Sequence, residues 1–159
     1  MRCAVEGTDG PFFEQLFQGF HPQAALVHGH GHQRRPIQSP ERIRKMFDHA
    51  NVIHSAWNGE QLVGLLRGWT DGAFDGYVCD LAVHPAFQKC GVGKGLLALL
   101  GLEYPEVRWV LLASPLAKDY YARVGWEALG NAWVLSRSGD AMPSYEAFTA
   151  QFAELAAKA

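Results

Sequence analysis

The feature that most constrains this chain is a glycine-rich turn between a strand-like run, residues 77–83, and a helical run, residues 96–100. The turn reads Gln88-Lys89-Cys90-Gly91-Val92-Gly93-Lys94-Gly95. Backbone N–H groups at a helix start have no intrahelical partner and carry partial positive charge. Because glycine lets the backbone approach a ligand closely, the pattern predicts a phosphate-binding turn, with Lys89 and Lys94 adding charge. The alternative is a tight turn that binds nothing.

Two common phosphate-binding motifs do not fit this turn. A P-loop needs four residues between its first glycine and a Gly-Lys-Ser/Thr triplet. Gly91 and Gly93 are too close together for that, and no Ser or Thr follows Lys94. A dinucleotide fingerprint would need glycine where Leu96 stands. What remains is Gln-x-x-Gly-x-Gly after Leu-Ala-Val-His-Pro.

The length and the overall composition indicate one globular domain over residues 1–159. A net charge of −2 argues against a dedicated nucleic-acid binder. No apolar run is long enough to span a membrane, and the N-terminus lacks the apolar core of a signal peptide. Cys3, Cys79 and Cys90 cannot all pair and are not spaced as zinc ligands. We therefore expect reduced thiols in a cytoplasmic protein without a membrane or nucleic-acid partner.

Hydrophobic periodicity and turn chemistry predict an α/β protein with a mixed sheet. Asn58-Gly59 is a strong hairpin signal inside an antiparallel meander, and Ser39-Pro40 is a good helix start. A strand–helix–strand crossover should make the strands at 77–83 and 107–113 parallel. The expected strands cover 2–6, 51–57, 61–70, 74–83, 107–113, 126–129 and 132–136, and the expected helices cover 12–20, 39–50, 91–104, 114–124 and 143–157.

A second pattern follows the predicted strand at 107–113. Ala117, Tyr121 and Gly125 match the segment Asn-x-x-Ala-x-x-x-Tyr-x-x-x-Gly-Phe, with Trp126 replacing phenylalanine and Ser114 replacing asparagine. Together with the glycine-rich turn, this pattern resembles the GNAT superfamily of N-acetyltransferases. The resemblance covers about residues 40–136 and extends to the order of the predicted elements.

The resemblance implies a GNAT-like fold whose sheet splays between the strands at 77–83 and 107–113. The pantetheine arm of acetyl-CoA would lie in that split, and a backbone N–H near Leu81 or Ala82 would stabilise negative charge on the thioester oxygen. The cofactor-binding residues predicted in this way are Leu81, Ala82, Val83, Gln88, Lys89, Cys90, Gly91, Val92, Gly93, Lys94, Gly95, Ser114, Ala117 and Tyr121.

Two residues are predicted to carry the chemistry. Tyr121 matches the family's usual acid, which would protonate the leaving thiolate; the alternative is a tyrosine whose ring fills the core. Asp80 could act through a water as the base that deprotonates the amine, or it could order the meander or pair with Arg67. Strand alternation places Asp80 opposite Leu81 and Val83 unless a bulge redirects it. Lesser base candidates are His54, His84 and Asp71.

The function expected from the resemblance is direct transfer of an acetyl group from acetyl-CoA to a primary amine of a small molecule or peptide. A non-catalytic acyl-CoA sensor and an interaction domain on the same fold are the alternatives. No metal is expected, because the loop His28-Gly29-His30-Gly31-His32 has no cysteine or carboxylate beside it. A homodimer is possible from the sequence.

Overall fold

A computed structural model describes residues 2–4, 25–26, 39–113 and 117–133. The chain divides into two compact units, residues 1–126 and 127–159. In the second unit, residues 127–133 are exposed and form neither helix nor strand. The strand predicted at 126–129 is therefore wrong, since residues 127–129 bury no apolar face that could hold one. The helices predicted at 12–20 and 143–157 lie outside the described residues.

The first unit contains a six-stranded mixed sheet. Its strand order is β1-β3-β4-β5-β2, and β6 also pairs with β5. All pairs are antiparallel except β5 with β6, which confirms the predicted meander and the predicted parallel crossover. The strands are β1 (Arg2–Ala4), β2 (Ala25–Leu26), β3 (Val52–Asn58), β4 (Gln61–Thr70), β5 (Asp75–Val83) and β6 (Arg108–Leu111).

Among the described residues, three helices accompany the sheet: α1 (Pro40–Asp48), α2 (Val92–Glu103) and α3 (Lys118–Arg123). Helix α1 begins as predicted, because the Ser39 side chain accepts a hydrogen bond from the Arg42 N–H and Pro40 occupies the first turn. A short 3-10 turn, Pro85–Phe87, links β5 to the glycine-rich turn.

Each face of the sheet has its own apolar core. The α2 face includes Leu66, Leu81, Val83, Leu96, Leu100 and Tyr121. The α1 face includes Ile43, Phe47, Leu62, Leu65 and Ala82. Alternation along β5 explains the division, since successive side chains of a strand point to opposite faces.

A β-bulge interrupts β5 in its middle. The register with β4 shifts between Arg67 and Gly68, which face Asp80 and Val78, so Cys79 is the extra residue. The parallel pairing with β6 ends beside the bulge, at Val78 and Leu111. A bulge bends its strand, and β5 and β6 part beside this one, where the splay was expected. Strand β6 has four residues and is shorter than the strand predicted at 107–113.

Candidate active site

The glycine-rich turn forms the N-terminus of α2. Gly91 takes a left-handed conformation with φ of 85°, and Gly95 N–H donates to the Gly91 carbonyl at 2.9 Å. The N-cap residue Gly91 has no side chain with which to cap the helix, and no acidic residue lies in the first turn. The first N–H groups of the helix therefore keep the partial positive charge that attracts an anion.

Gly93 serves a different purpose from Gly91. A Cβ atom at Gly93 would lie 2.8 Å from the Tyr120 hydroxyl oxygen and 3.6 Å from Val83 Cγ2. A side chain at this position would therefore meet the end of Tyr120 of α3, which reaches over the first turn of α2, and the Tyr120 hydroxyl would have to shift. Partial burial at this position raises the pKa of the Tyr120 hydroxyl above its ordinary value.

Gln88 ties the turn to the end of β5. Its side-chain Nε2 donates to the Val83 carbonyl at 3.2 Å, and its backbone N–H donates to the Pro85 carbonyl. Lys89 follows with φ of 62°, an uncommon conformation for a residue with a Cβ. These contacts hold the turn beside the last residues of β5.

The edge of β5 that faces away from β4 carries the other half of the site. His84 N–H donates to the Val63 carbonyl of β4 at 2.9 Å. Since backbone groups alternate between the two edges of a strand, Ala82 directs its N–H and C=O to β4, and Leu81 and Val83 direct theirs to the opposite edge. Of the two amides considered for stabilising the thioester oxygen, the Leu81 N–H is the one on the split edge.

Part of this edge is paired with the chain itself. The register places Ala25 of β2 opposite Val83 and Leu26 opposite Ala82. Within the described residues, no strand pairs with this edge between Val78, where β6 ends, and Ala82. The split in the sheet is therefore a gap between β6 and β2.

Tyr121 lies in the apolar cluster of the α2 face. It is 5% exposed, and the buried neighbours of that cluster include Leu81, Val83 and Ala117. Its ring makes edge-on contacts with Tyr120 and Trp126, at centroid distances of 5.3 and 5.9 Å. One face of the sheet thus carries Tyr121, Ala117, the start of α2 and the Leu81 and Val83 side chains of β5.

Asp80 lies on the other face, in a buried ion pair. Its Oδ2 accepts from Arg67 Nε at 2.6 Å, and the Asp80 and Arg67 side chains are 4% and 2% exposed. Arg67 also donates to the Met46 carbonyl of α1, and its guanidinium lies over the Phe47 ring. The sheet thus separates Asp80 from Tyr121, and the bulge at Cys79 does not redirect its carboxylate.

The lesser base candidates also have structural partners. His54 is buried, and its Nε2 lies 2.9 Å from Glu103 Oε2 of α2. His84 Nδ1 accepts from the Ala86 N–H in the 3-10 turn. Asp71 accepts N–H donors from residues 73, 74 and 75 of its own turn, which lowers the pKa of its carboxyl.

Several predicted features lie outside the described residues or are not brought to the site. Ser114 and the histidine loop at 28–32 are outside them. Among residues 39–113 and 117–133, no cluster of three His, Cys, Asp or Glu side chains could hold a metal ion. No helix in those ranges is both long and apolar enough to cross a membrane. Cys90 is exposed in the turn, and Cys79 is buried at the bulge.

Sequence reasoning missed three features of the site. Tyr120 was passed over because only the residue after it matches the family pattern. Strand β2 has two residues, too few to give a periodic signal. A bulge beside Asp80 was considered but not predicted, and its position at Cys79 has no glycine to mark it, although some bulges do.

The chain is similar to known proteins in sequence and in fold. The family profile described as "Acetyltransferase (GNAT) domain" matches residues 27–135. An uncharacterized N-acetyltransferase of Prochlorococcus marinus, ycf52-like, is 30% identical over 119 residues, or 67% of this chain. The chain spans 62% of that relative's length.

Solved structures share the fold. A GNAT family acetyltransferase from Streptococcus pneumoniae aligns with a TM-score of 0.52 and 27% identity, covering 61% of this chain and 80% of that one. A structure of AAC(6')-Iy in complex with the bisubstrate analogue CoA-S-monomethyl-acetylneamine aligns with a TM-score of 0.59 and 14% identity, covering 86% of this chain and 99% of that one. The profile match extends over more than half of the sequence, and the chain belongs to the GNAT acetyltransferase family.

Proposed function

We propose that this protein transfers an acetyl group from acetyl-CoA to a primary amine of a small molecule or peptide, in a ternary complex. The observation that carries the proposal is the uncapped start of α2 beside the split edge of β5. One supplies N–H donors for a pyrophosphate, and the other supplies strand-edge groups for an extended amide-bearing arm. The CoA-containing analogue bound by AAC(6')-Iy supports a CoA substrate for this fold.

The residues would divide the cofactor between them. The pyrophosphate binds to residues 91–95, which include Lys94, and to Lys89. Leu81 and Val83 pair with the pantetheine arm through their outward backbone groups. The Leu81 N–H then lies nearest the thioester oxygen and stabilises the charge that develops on it.

The reaction needs two protons removed from the protonated amine and one proton supplied to the thiolate. An alkyl amine with a pKa of about 10 loses its first proton before its nitrogen attacks the thioester carbon. The C–N bond forms, the C–S bond breaks, the acylated nitrogen loses its second proton to water, and the thiolate of CoA takes a proton. We assign that proton to the Tyr121 hydroxyl, whose cluster includes Leu81 and Val83.

The position of Asp80 supports its alternative role. Proton uptake by Asp80 would leave the buried Arg67 guanidinium without its counter-ion. We therefore propose that Asp80 holds β4 to β5 and that the amine loses its proton to water or to a group of the acceptor site.

A binding experiment tests the cofactor first. Thermal unfolding with acetyl-CoA, CoA and NAD should show stabilisation by both CoA species, about 2.7 kcal/mol at one hundred times the dissociation constant, and none by NAD. A screen of polyamines, aminoglycosides and lysine peptides should then show release of free CoA thiol. Absence of any shift at millimolar acetyl-CoA would contradict the proposal.

The Tyr121→Phe variant separates an enzyme from a sensor. It should lower kcat by about 10²–10⁴-fold and leave the Kd for acetyl-CoA unchanged, because the hydroxyl acts on the leaving thiolate. Tyr120→Phe is the matched control, and its kcat should stay within a few-fold of the unaltered protein. Equal kcat values for Tyr121→Phe and the unaltered protein would contradict the acid role.

A further inference from the structure

The outward edge of β5 has two partners, one proposed and one present in the structure. Under the proposed function, the backbone of Leu81 and Val83 binds the pantetheine arm. In the structure, β2 pairs with the same edge, and Ala25 lies opposite Val83. One strand edge can form a ladder with only one extended partner at a time, because each backbone group faces a single neighbour in the sheet plane.

From this overlap, we propose that β2 is a self-complementing strand that competes with the pantetheine arm, so that acetyl-CoA binds by displacing residues 25–26 from β5. The inference rests on the proposed function. It concerns only the arm of the cofactor, since the start of α2 that would hold the pyrophosphate does not pair with β2. The Val83 carbonyl keeps a second partner, Gln88 Nε2, when β2 leaves.

The ladder geometry identifies the amide that matters. Ala82 directs its backbone groups to β4, so Val83 and Ala25 form the hydrogen-bonded pair, and Leu26 directs its N–H away from β5. Proline at position 25 would remove a donor to Val83. Proline at position 26 would introduce the same ring without removing a donor to β5, which makes it a matched control.

The test measures the affinities of the 159-residue chain for two probes by titration calorimetry. One probe is acetyl-CoA, and the other is the CoA fragment that ends at the pyrophosphate and lacks the pantetheine arm. Ala25→Pro should tighten acetyl-CoA binding by about 3- to 10-fold, the factor that one net backbone hydrogen bond represents. It should leave the affinity for the fragment unchanged, and Leu26→Pro should change neither affinity.

The outcomes separate this inference from the function on which it rests. Acetyl-CoA binding that is unchanged or weaker in Ala25→Pro would overturn the competition while leaving the proposed function intact. If acetyl-CoA bound to neither the unaltered protein nor Ala25→Pro nor Leu26→Pro, that result would overturn both the competition and the proposed function. Binding to Ala25→Pro alone would support both, with β2 as the stronger competitor.

Hydrogen exchange on the unaltered protein gives an independent readout if the proline variant does not fold. Saturating acetyl-CoA should make the Ala25 amide exchange faster, because its acceptor on Val83 is taken by the pantetheine arm. The pantetheine-free fragment should leave that amide unchanged. Slower exchange of Ala25 with acetyl-CoA would mean that β2 remains on β5 and lines the cofactor, which contradicts displacement.

Discussion

The α1 face and the outward edge of β5 satisfy their polar groups in opposite ways. On the α1 face, Asp80 and Arg67 are buried and bonded to each other at 2.6 Å. On the outward edge, within the described residues, Leu81 lies in the gap between β6 and β2, beside a helix start whose N-cap residue, Gly91, has no side chain. Polar groups paired within the protein maintain the fold, and groups left for an external partner mark a site. Adjacent residues of one strand thus have different tasks.

The sharpest way to break this comparison is to remove the Asp80 carboxylate. Asp80→Ala should cost about 3–5 kcal/mol of unfolding free energy, because Arg67 would be left as an unpaired buried charge. Chemical denaturation measures the loss. Asp75→Ala is the control, since its ion pair with Arg108 is exposed by 53% and 70% and should contribute about 1 kcal/mol or less.

The same variant can reverse the assignment of Asp80. If Asp80→Ala unfolds within 1 kcal/mol of the unaltered protein and yet loses turnover, the carboxylate acts as the base rather than as part of the fold. A stable, active variant would contradict both roles.

Packing between the sheet and α2 should also depend on the absence of a side chain. A Cβ at Gly64 would lie 2.6 Å from Val92 Cγ1 and 3.1 Å from Leu96 Cδ1. Gly64→Ala should therefore cost about 1–3 kcal/mol by overpacking. Gly101→Ala, in the same helix and with no atom within 4 Å of its Cβ, should instead stabilise by about 0.5–1 kcal/mol. Equal effects in denaturation would show that sheet and helix adjust freely.

Within the turn, glycines at two positions should respond in opposite directions. Gly91 has φ of 85°, so Gly91→Ala should cost about 1–2 kcal/mol in left-handed strain. Gly95 has open space around its Cβ position and lies inside α2, so Gly95→Ala should stabilise by about 0.5–1 kcal/mol. If Gly91→Ala raised the temperature of thermal unfolding, that result would contradict the left-handed backbone conformation of Gly91 at the N-cap of α2.

The smallest effect is expected at the exposed turn after β4. The N–H donors of residues 73–75 lower the pKa of Asp71 in the folded protein below its unfolded value. Its stabilisation should therefore be complete above about pH 4–5 and disappear as the pH falls through the folded pKa. The difference in unfolding free energy between the unaltered protein and Asp71→Ala should shrink as the pH falls through the folded pKa of Asp71. A difference that grows on acidification would contradict the sign.

Most of the fold could be predicted because its signals are local. The Asn58-Gly59 turn, the alternation along β4 and β5, and the Ser39-Pro40 helix start each act within a few residues. The strand predicted at 126–129 failed because a short apolar pattern forms a strand only where another element buries it. The structure leaves residues 127–129 exposed.

The site was only partly predictable, because its geometry depends on contacts between distant parts of the chain. The turn at 88–95 was predicted from its glycine spacing, and Tyr121 was predicted from the resemblance of its segment to the GNAT pattern. The ion pair of Asp80 depends on the position of Arg67 on the neighbouring strand β4, 13 residues away in the sequence. No local pattern encodes three further features, because they depend on tertiary structure. These are the contact of the Tyr120 hydroxyl with the Gly93 position, the bulge at Cys79 and the pairing of β2 with β5.

The central claim is that the start of α2 and the outward edge of β5 bind acetyl-CoA together. Hydrogen–deuterium exchange with and without acetyl-CoA tests it most directly, residue by residue. At one hundred times the dissociation constant, the amides of Val92, Gly93 and Lys94 and that of Leu81 should exchange more slowly, by up to about 100-fold. Amides of α1 should not change beyond the general stabilisation. Protection confined to α1, or none at residues 81 and 92–94 despite measured binding, would contradict the account.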